Sequence, residues 1–207
     1  MEKRIINTEK SLIVGLTGQT GAGKTTVSEM FLENGFYIIN ADLIARMVMD
    51  KDTPCLNDVV SAFGNDILNE NGELNRRRLS DIIFNDKNQL ERLNSITYPY
   101  IVEKIQVMIN SALTFCSNKI LIDAPTLFES GCNKLCDIIV SVVSNRDLRL
   151  RRIISRDNIT KSQAESRIKS QLSEDFFRTH SDYIIENNTS IQDLQLKSLD
   201  VISKIVL

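Results

Sequence analysis

The eight residues Gly18-Gln19-Thr20-Gly21-Ala22-Gly23-Lys24-Thr25 follow the spacing G-x-x-x-x-G-K-[ST], directly after the apolar run Leu12 to Leu16. That spacing suits one task, the holding of a nucleotide polyphosphate. Glycines let the backbone turn through positive φ so that successive N–H groups face one anion. A helix starting behind them adds the positive end of its dipole. Lys24 then reaches the β- and γ-phosphates, and the Thr25 hydroxyl is offered to Mg²⁺. The context agrees: Thr26 to Leu32 is helix-compatible, with Val27, Met30 and Phe31 at i, i+3 and i+4.

Such a loop serves a switch GTPase, a mechanical ATPase or a small-molecule kinase. Guanine reading needs N-K-x-D after a strand. The nearest string, Asn133-Lys134-Leu135-Cys136, carries a thiol where the carboxylate belongs and precedes an apolar run. The D-x-x-G switch is missing where Asp123-Ala124-Pro125-Thr126 stands. A kinase needs a carboxylate that takes the acceptor's proton as the γ-phosphoryl moves in line. Asn40-Ala41-Asp42 supplies one after the second apolar run. Asp42 is expected to be that base; it also suits the N-cap of a helix over Leu43 to Met49, and the two roles are compatible. Asp123 is placed either to hold the Mg²⁺ shell in Walker-B fashion or to cap a strand end.

The elements that must bring these residues together are legible as five apolar runs, Leu12 to Leu16, Phe36 to Ile39, Lys119 to Ile122, Ile138 to Val143 and Tyr183 to Ile185. Near-continuous apolar character without alternation predicts strands buried on both faces, hence a parallel sheet covered by helices with ligands at its carboxyl ends. Roughly eighty residues separate Ile39 from Lys119, far more than one crossover requires, which predicts an inserted helical lobe. Its clearest helix is expected to begin just after Pro99, with Ile101, Ile105, Met108, Ile109, Ala112 and Leu113 as its apolar stripe. Thr53-Pro54 marks a helix start or loop, and Asn71-Gly72 a turn. From Arg146 a basic helix places Arg149, Arg152 and Arg156 at i, i+3 and i+7, and Thr160 to Gln163 reads as a capping box opening the next helix. The arginine stripe suits a lid over ATP better than a solvated face. Ile191, Leu194, Leu199, Ile202 and Ile205 predict a C-terminal amphipathic helix.

Composition bounds the rest. The chain has 207 residues, 42% apolar and 25% charged, with a net charge of −2, so nothing points to nucleic acid. Met1 to Lys10 is polar and lacks a signal-like apolar core, and no run approaches the roughly 20 apolar residues of a membrane span. A cytoplasmic protein is expected, monomeric or weakly homo-oligomeric. Cys132 and Cys136 lack further zinc ligands nearby, and His180, the single histidine, reads as a surface residue.

Five motifs in register resemble the dephospho-CoA kinase family: G-L-T-G-x-x-G-A-G-K-T-T at Gly15 to Thr26, A-D-L-I-A-R at Ala41 to Arg46, F-G-x-x-I-L-x-x-x-G-x-L-x-R at Phe63 to Arg76, A-P-T-L-F-E at Ala124 to Glu129, and R-x-x-x-R-D at Arg152 to Asp157. The resemblance implies a P-loop NTPase-like α/β fold, a parallel sheet flanked by helices with a helical substrate-binding insertion and a small helical lid. It divides the single domain into a nucleotide core (11–40, 117–145 and 180–207), a lobe for coenzyme A (41–116) and a lid (146–179). It implies transfer of the ATP γ-phosphoryl, with Mg²⁺, to the 3′-hydroxyl of dephospho-CoA. A nucleoside or nucleoside monophosphate kinase of the same build is the alternative.

Carried over by position, Gly21, Ala22, Gly23, Lys24, Thr25 and Thr26 match the family's ATP loop. Asp42 matches the second carboxylate of D-A-D, its proposed base, and Arg46 the arginine one turn beyond. Arg152 and Arg156 match the lid arginines, Arg152 being counted with Lys24 and Asp42 as catalytic. Asn187 ends a string resembling the one near the adenine site, while Leu127, Phe128 and Glu129 resemble residues lining the CoA side, where Arg76 and Tyr98 are also expected. Three departures stand out: Asn40 for the first aspartate of D-A-D, Tyr98 before Pro99 where histidine is common, and Thr126 for a leucine.

Overall fold

The computed structural model describes residues 11–84, 86–115 and 117–206. The polar segment Met1 to Lys10 and Cys116 lie outside the described residues. Five strands, β1 (Leu12–Gly18), β2 (Tyr37–Asn40), β3 (Lys119–Asp123), β4 (Ile138–Val143) and β5 (Tyr183–Glu186), form one sheet in the order β2-β3-β1-β4-β5. Every pairing is parallel. All five expected strands are present, because their side chains are covered on both faces and the sequence therefore shows runs of apolar residues. The register sets the site: Asp123 pairs with Leu16 on one side and with Asn40 on the other. The carboxyl ends of β1, β2 and β3 thus meet beside the phosphate loop.

Behind the loop α1 (Lys24–Glu33) buries Val27, Met30 and Phe31 in a cluster shared with Val14, Leu16 and Val142. The C-terminal helix α9 (Ile191–Val206) closes the same face with Leu194, Ser198, Val201, Ile202 and Ile205. Two members of its expected stripe, Ile191 and Leu199, are exposed instead. At 100° per residue the buried arc runs through 194, 198, 201, 202 and 205; Leu199 falls outside it, whereas Ile191 falls within it but is the first residue of the helix.

Between β2 and β3 lie α2 (Ala41–Met47), α3 (Pro54–Phe63), α4 (Arg76–Phe84) and α5 (Lys87–Phe115). Thr53 caps α3 by accepting the Leu56 N–H at 3.2 Å, with Pro54 at the first helical position. Asn71-Gly72 turns between Leu68 and Leu74, which bridge antiparallel. These helices share a small core of their own around Met49, Cys55, Val59, Ile67, Leu79 and Leu93. The start expected for α5 at Pro99 is wrong by three turns, since the helix begins at Lys87 and carries Pro99 inside it. Proline here costs the hydrogen bond to the Ser95 carbonyl, but both residues are exposed and water can take that acceptor. Ile101, Ile105, Ile109 and Ala112 are buried as expected, whereas Leu113 is exposed.

After β4 the chain forms α6 (Arg146–Asp157), α7 (Lys161–Lys169) and α8 (Glu174–His180). Asn158 takes a left-handed turn, and the capping box opens α7: Thr160 accepts the Gln163 N–H while Gln163 accepts that of Thr160. Leu150, Ile153 and Ala164 hold α6 and α7 together. Among the described residues no helix is long and apolar enough to cross a membrane.

Candidate active site

The phosphate loop runs from the end of β1 into α1, with Gly21 and Gly23 at positive φ. Its next residue, Lys24, forms an ion pair with Asp123. The lysine side chain is 18% exposed and the carboxylate 7%, so the pair sits at the floor of the site. Asp123 is therefore bound to the loop lysine and does not merely end its strand.

Outside the loop, Asn187 at the end of β5 donates its Nδ2 to the Ala22 carbonyl at 2.8 Å. Gly23 leaves room for that contact, since φ is +101° and a Cβ there would meet Asn187 Nδ2 at 2.5 Å. Gly23→Ala adds left-handed strain of about 1–2 kcal/mol to the displacement of Asn187. A fall in Tm and a weaker response of Tm to added ATP are expected by scanning calorimetry; an unchanged ATP response would mean that the loop tolerates the move.

Around the loop opens a cleft of about 800 Å³, walled by Lys24 and Thr25 on one side and by Arg152 and Arg156 of α6 on the other. A second cavity of about 270 Å³ opens from the helical segment and is lined by Arg46, Arg76 and Tyr98. Asp42 lines both. The expected capping role of Asp42 is corrected here. Asn40 caps α2, its Oδ1 accepting the Leu43 N–H at 3.0 Å, and the helix begins at Ala41. Asn40 ends a strand in extended conformation, the geometry an N-cap requires. Asp42 is exposed in the first turn, its carboxylate left to face the two cavities.

Arg76 donates to the Arg46 carbonyl at 3.3 Å, bringing two guanidinium groups to one wall of the smaller cavity. Tyr98, one turn of α5 before Val102, faces Thr126, and its phenol is raised first by burial and then by the Glu129 charge. Burial also raises the Glu129 carboxyl. Leu127 lines neither cavity and is fully buried under Gly15, where a Cβ would come within 2.8 Å of its Cδ2. Cys136 shares that position, and burial pushes its thiol up to about 12. Phe128 instead packs edge-on against Phe176, which stacks on the exposed His180 ring at 4.0 Å. The residues of this stretch that do line the cavity are Thr126 and Ser130.

The arginine stripe of α6 divides. Arg152 lines the cleft and also donates to Gly21, Ser144 and Asn187. Arg156 lines it with its guanidinium held by Asp157 at 2.7 and 2.9 Å, and Arg167 meets the same carboxylate at 2.5 Å. Those contacts hold the Asp157 carboxyl below its ordinary range. Arg149 is turned away from the cleft and buried against the loop. The cleft-facing members are Arg151, Arg152, Ser155 and Arg156, so Arg151 and Ser155 escaped the sequence reading. So did Gln171 in the cleft, and Asn94 and Thr97 in the smaller cavity. Asn94, Thr97, Tyr98 and Ile101 form an i, i+3, i+4, i+7 stripe, a signal visible only once α5 is extended through Pro99.

A family model described as dephospho-CoA kinase matches residues 12–193. A dephospho-CoA kinase of Fusobacterium nucleatum is 40% identical over 184 residues, covering 88% of this chain and 93% of that protein. The solved dephospho-CoA kinase from Campylobacter jejuni superposes with a TM-score of 0.62 at 26% identity, covering 93% of this chain and 96% of its own. The Thermus thermophilus protein TT1252 superposes with a TM-score of 0.79 over 96% of this chain and all of its own; at 21% identity that likeness concerns the fold alone.

Proposed function

The chain belongs to the dephospho-CoA kinase family, and we propose that it transfers the γ-phosphoryl of ATP to the 3′-hydroxyl of the dephospho-CoA ribose, giving coenzyme A and ADP. The observation that carries this reading is that Asp42 lines both the phosphate-loop cleft and the smaller arginine-rich cavity. A base for in-line transfer belongs at such a junction, within reach of donor phosphorus and acceptor hydroxyl together.

The 3′-oxygen bonds to the γ-phosphorus while the bond from that phosphorus to the β,γ-bridging oxygen breaks, and the hydroxyl proton passes to the Asp42 carboxylate. Lys24 leaves Asp123 for the β- and γ-phosphates, and the inward N–H groups of Gly21 and Gly23, with those of the first turn of α1, cradle the same charge. Arg152 and Arg156 bring cations over the transferred group from α6. Asn187 acts on the nucleotide through the loop carbonyl it holds. The Thr25 hydroxyl and the Asp123 carboxylate are hard oxygen donors of the kind Mg²⁺ takes; they would hold an ion carried with ATP, which would supply neutralisation of the phosphate charge. On the acceptor side Arg46 and Arg76 suit the 5′-diphosphate of dephospho-CoA, with Tyr98 and Glu129 beside them. Segments 41–116 and 146–179 then serve as acceptor lobe and lid, and the remainder as nucleotide core. An ATP donor and the free Cys55, Cys132 and Cys136 support a cytoplasmic site of action.

ADP release with ATP and Mg²⁺, compared across dephospho-CoA, AMP, CMP and adenosine, tests the proposal. Turnover is expected with dephospho-CoA at far higher kcat/KM than with the others. Turnover confined to a nucleoside or its monophosphate would overturn it.

A further inference from the structure

Three consecutive carbonyls of the phosphate loop each accept a side-chain N–H from outside. Arg149 Nε donates to Thr20 at 2.9 Å, Arg152 Nη1 to Gly21 at 3.3 Å, and Asn187 Nδ2 to Ala22 at 2.8 Å. In a trans peptide the C=O of one residue and the N–H of the next point in opposite directions. Pinning the carbonyls of Thr20 and Ala22 outward therefore aims the N–H groups of Gly21 and Gly23 inward, at the cleft. The N–H of Ala22 is used within the loop, donating to the Gln19 carbonyl at 3.0 Å.

Arg149 is the member of this row that does not line the cleft. It is 4% exposed, and its Nη2 is held at 3.2 Å by Gln171 Oε1, which also accepts the Thr20 N–H at 2.8 Å. Thr20 is thus gripped at both its C=O and its N–H, one in each of the peptide units that flank its Cα, by a single pair of side chains. Both acceptors on the guanidinium are neutral, and among the described residues Arg149 forms no ion pair with a carboxylate; Glu174 acts on it only through space. A buried cation is ordinarily compensated by an anion. The anion that arrives beside this one is the polyphosphate.

We propose that Arg149 is a positioning residue for ATP: from outside the cleft it fixes the Thr20 peptide so that the loop amides face the phosphates, and its buried charge is compensated when the polyphosphate binds. This rests on the reading of ATP as donor. Because α6 supplies both Arg149 and Arg152, the helix that walls the cleft is also the brace of the loop beneath it.

The test is the ATP dissociation constant by titration calorimetry, with KM for both substrates, for Arg149→Gln and Arg149→Lys. Losing a charge-assisted hydrogen bond of this kind should weaken ATP about tenfold or more in Arg149→Gln. KM for dephospho-CoA should stay within about twofold, because no contact of Arg149 lies on the acceptor side. Arg149→Lys keeps the charge but offers a single point donor, and should fall between the variant and the wild type. Unchanged ATP affinity in folded Arg149→Gln overturns the proposal, as does an equal weakening toward both substrates, the mark of a merely structural residue. If Arg149→Gln does not fold, Arg149→Lys decides, and wild-type ATP affinity there overturns it. Calorimetry with ATP alone keeps this outcome separate from the identity of the acceptor.

Discussion

Lys24→Ala is expected to lower turnover by about two to three orders of magnitude, the scale found when one preorganised donor to developing charge is removed. The effect belongs in kcat more than in the KM for dephospho-CoA, since the ammonium group follows charge on the transferring phosphoryl. A second readout follows from the ion pair with Asp123. Without Lys24, a carboxylate only 7% exposed loses its cation. Leaving a buried charge unpaired is costly, so Tm should fall as well. Adding Asp123→Asn should recover much of the lost Tm without recovering turnover. Recovery of both together would mean that the lysine acts on stability and not on the phosphates.

Asp42→Asn is expected to lower kcat by about two orders of magnitude or more, the usual contribution of a positioned general base. The substitution tests the role cleanly, because the helix cap is Asn40 and not Asp42. Shape and first-turn polarity are kept, and only the capacity to accept the proton is lost. Binding of ATP should not weaken, since the substitution removes a negative charge facing the γ-phosphate. Near-normal kcat would move the base elsewhere and leave Asp42 as a wall residue shared by two cavities.

How far the site is legible in the sequence depends on the kind of signal. The strands read well because burial on both faces writes itself as an unbroken apolar run, as in Ile138 to Val143. The loop reads well because its glycines, lysine and threonine answer to a single ligand chemistry. Pro99 misleads because a proline ordinarily opens a helix, and only the exposure of Ser95 lets α5 run through it. Leu127 misleads because a motif reports that a stretch matters, not which of its side chains turns inward. The i, i+3, i+7 spacing of Arg149, Arg152 and Arg156 brings them to one side of α6. Spacing alone does not say which edge of that side meets the cleft and which meets the loop backbone. The hydrogen bonds to Thr20, Gly21 and Ala22 are invisible beforehand for another reason. They join residues more than a hundred positions apart and end on carbonyls, which every residue has.

The sharing of Asp42 between two cavities also bears on equilibrium. Two ligands that press on one carboxylate cannot bind independently: the factor by which ATP alters the affinity for dephospho-CoA must equal the factor by which dephospho-CoA alters that for ATP. On the proposed reading the γ-phosphate would bring negative charge toward Asp42, and the acceptor hydroxyl a proton that can hydrogen-bond to it. The donor's charge strengthens the carboxylate's demand for that proton, and the acceptor's hydroxyl eases the repulsion felt by the donor. ADP lacks the γ-phosphate and so forfeits this mutual support. On that reading the same wall that joins the substrates lets the products part.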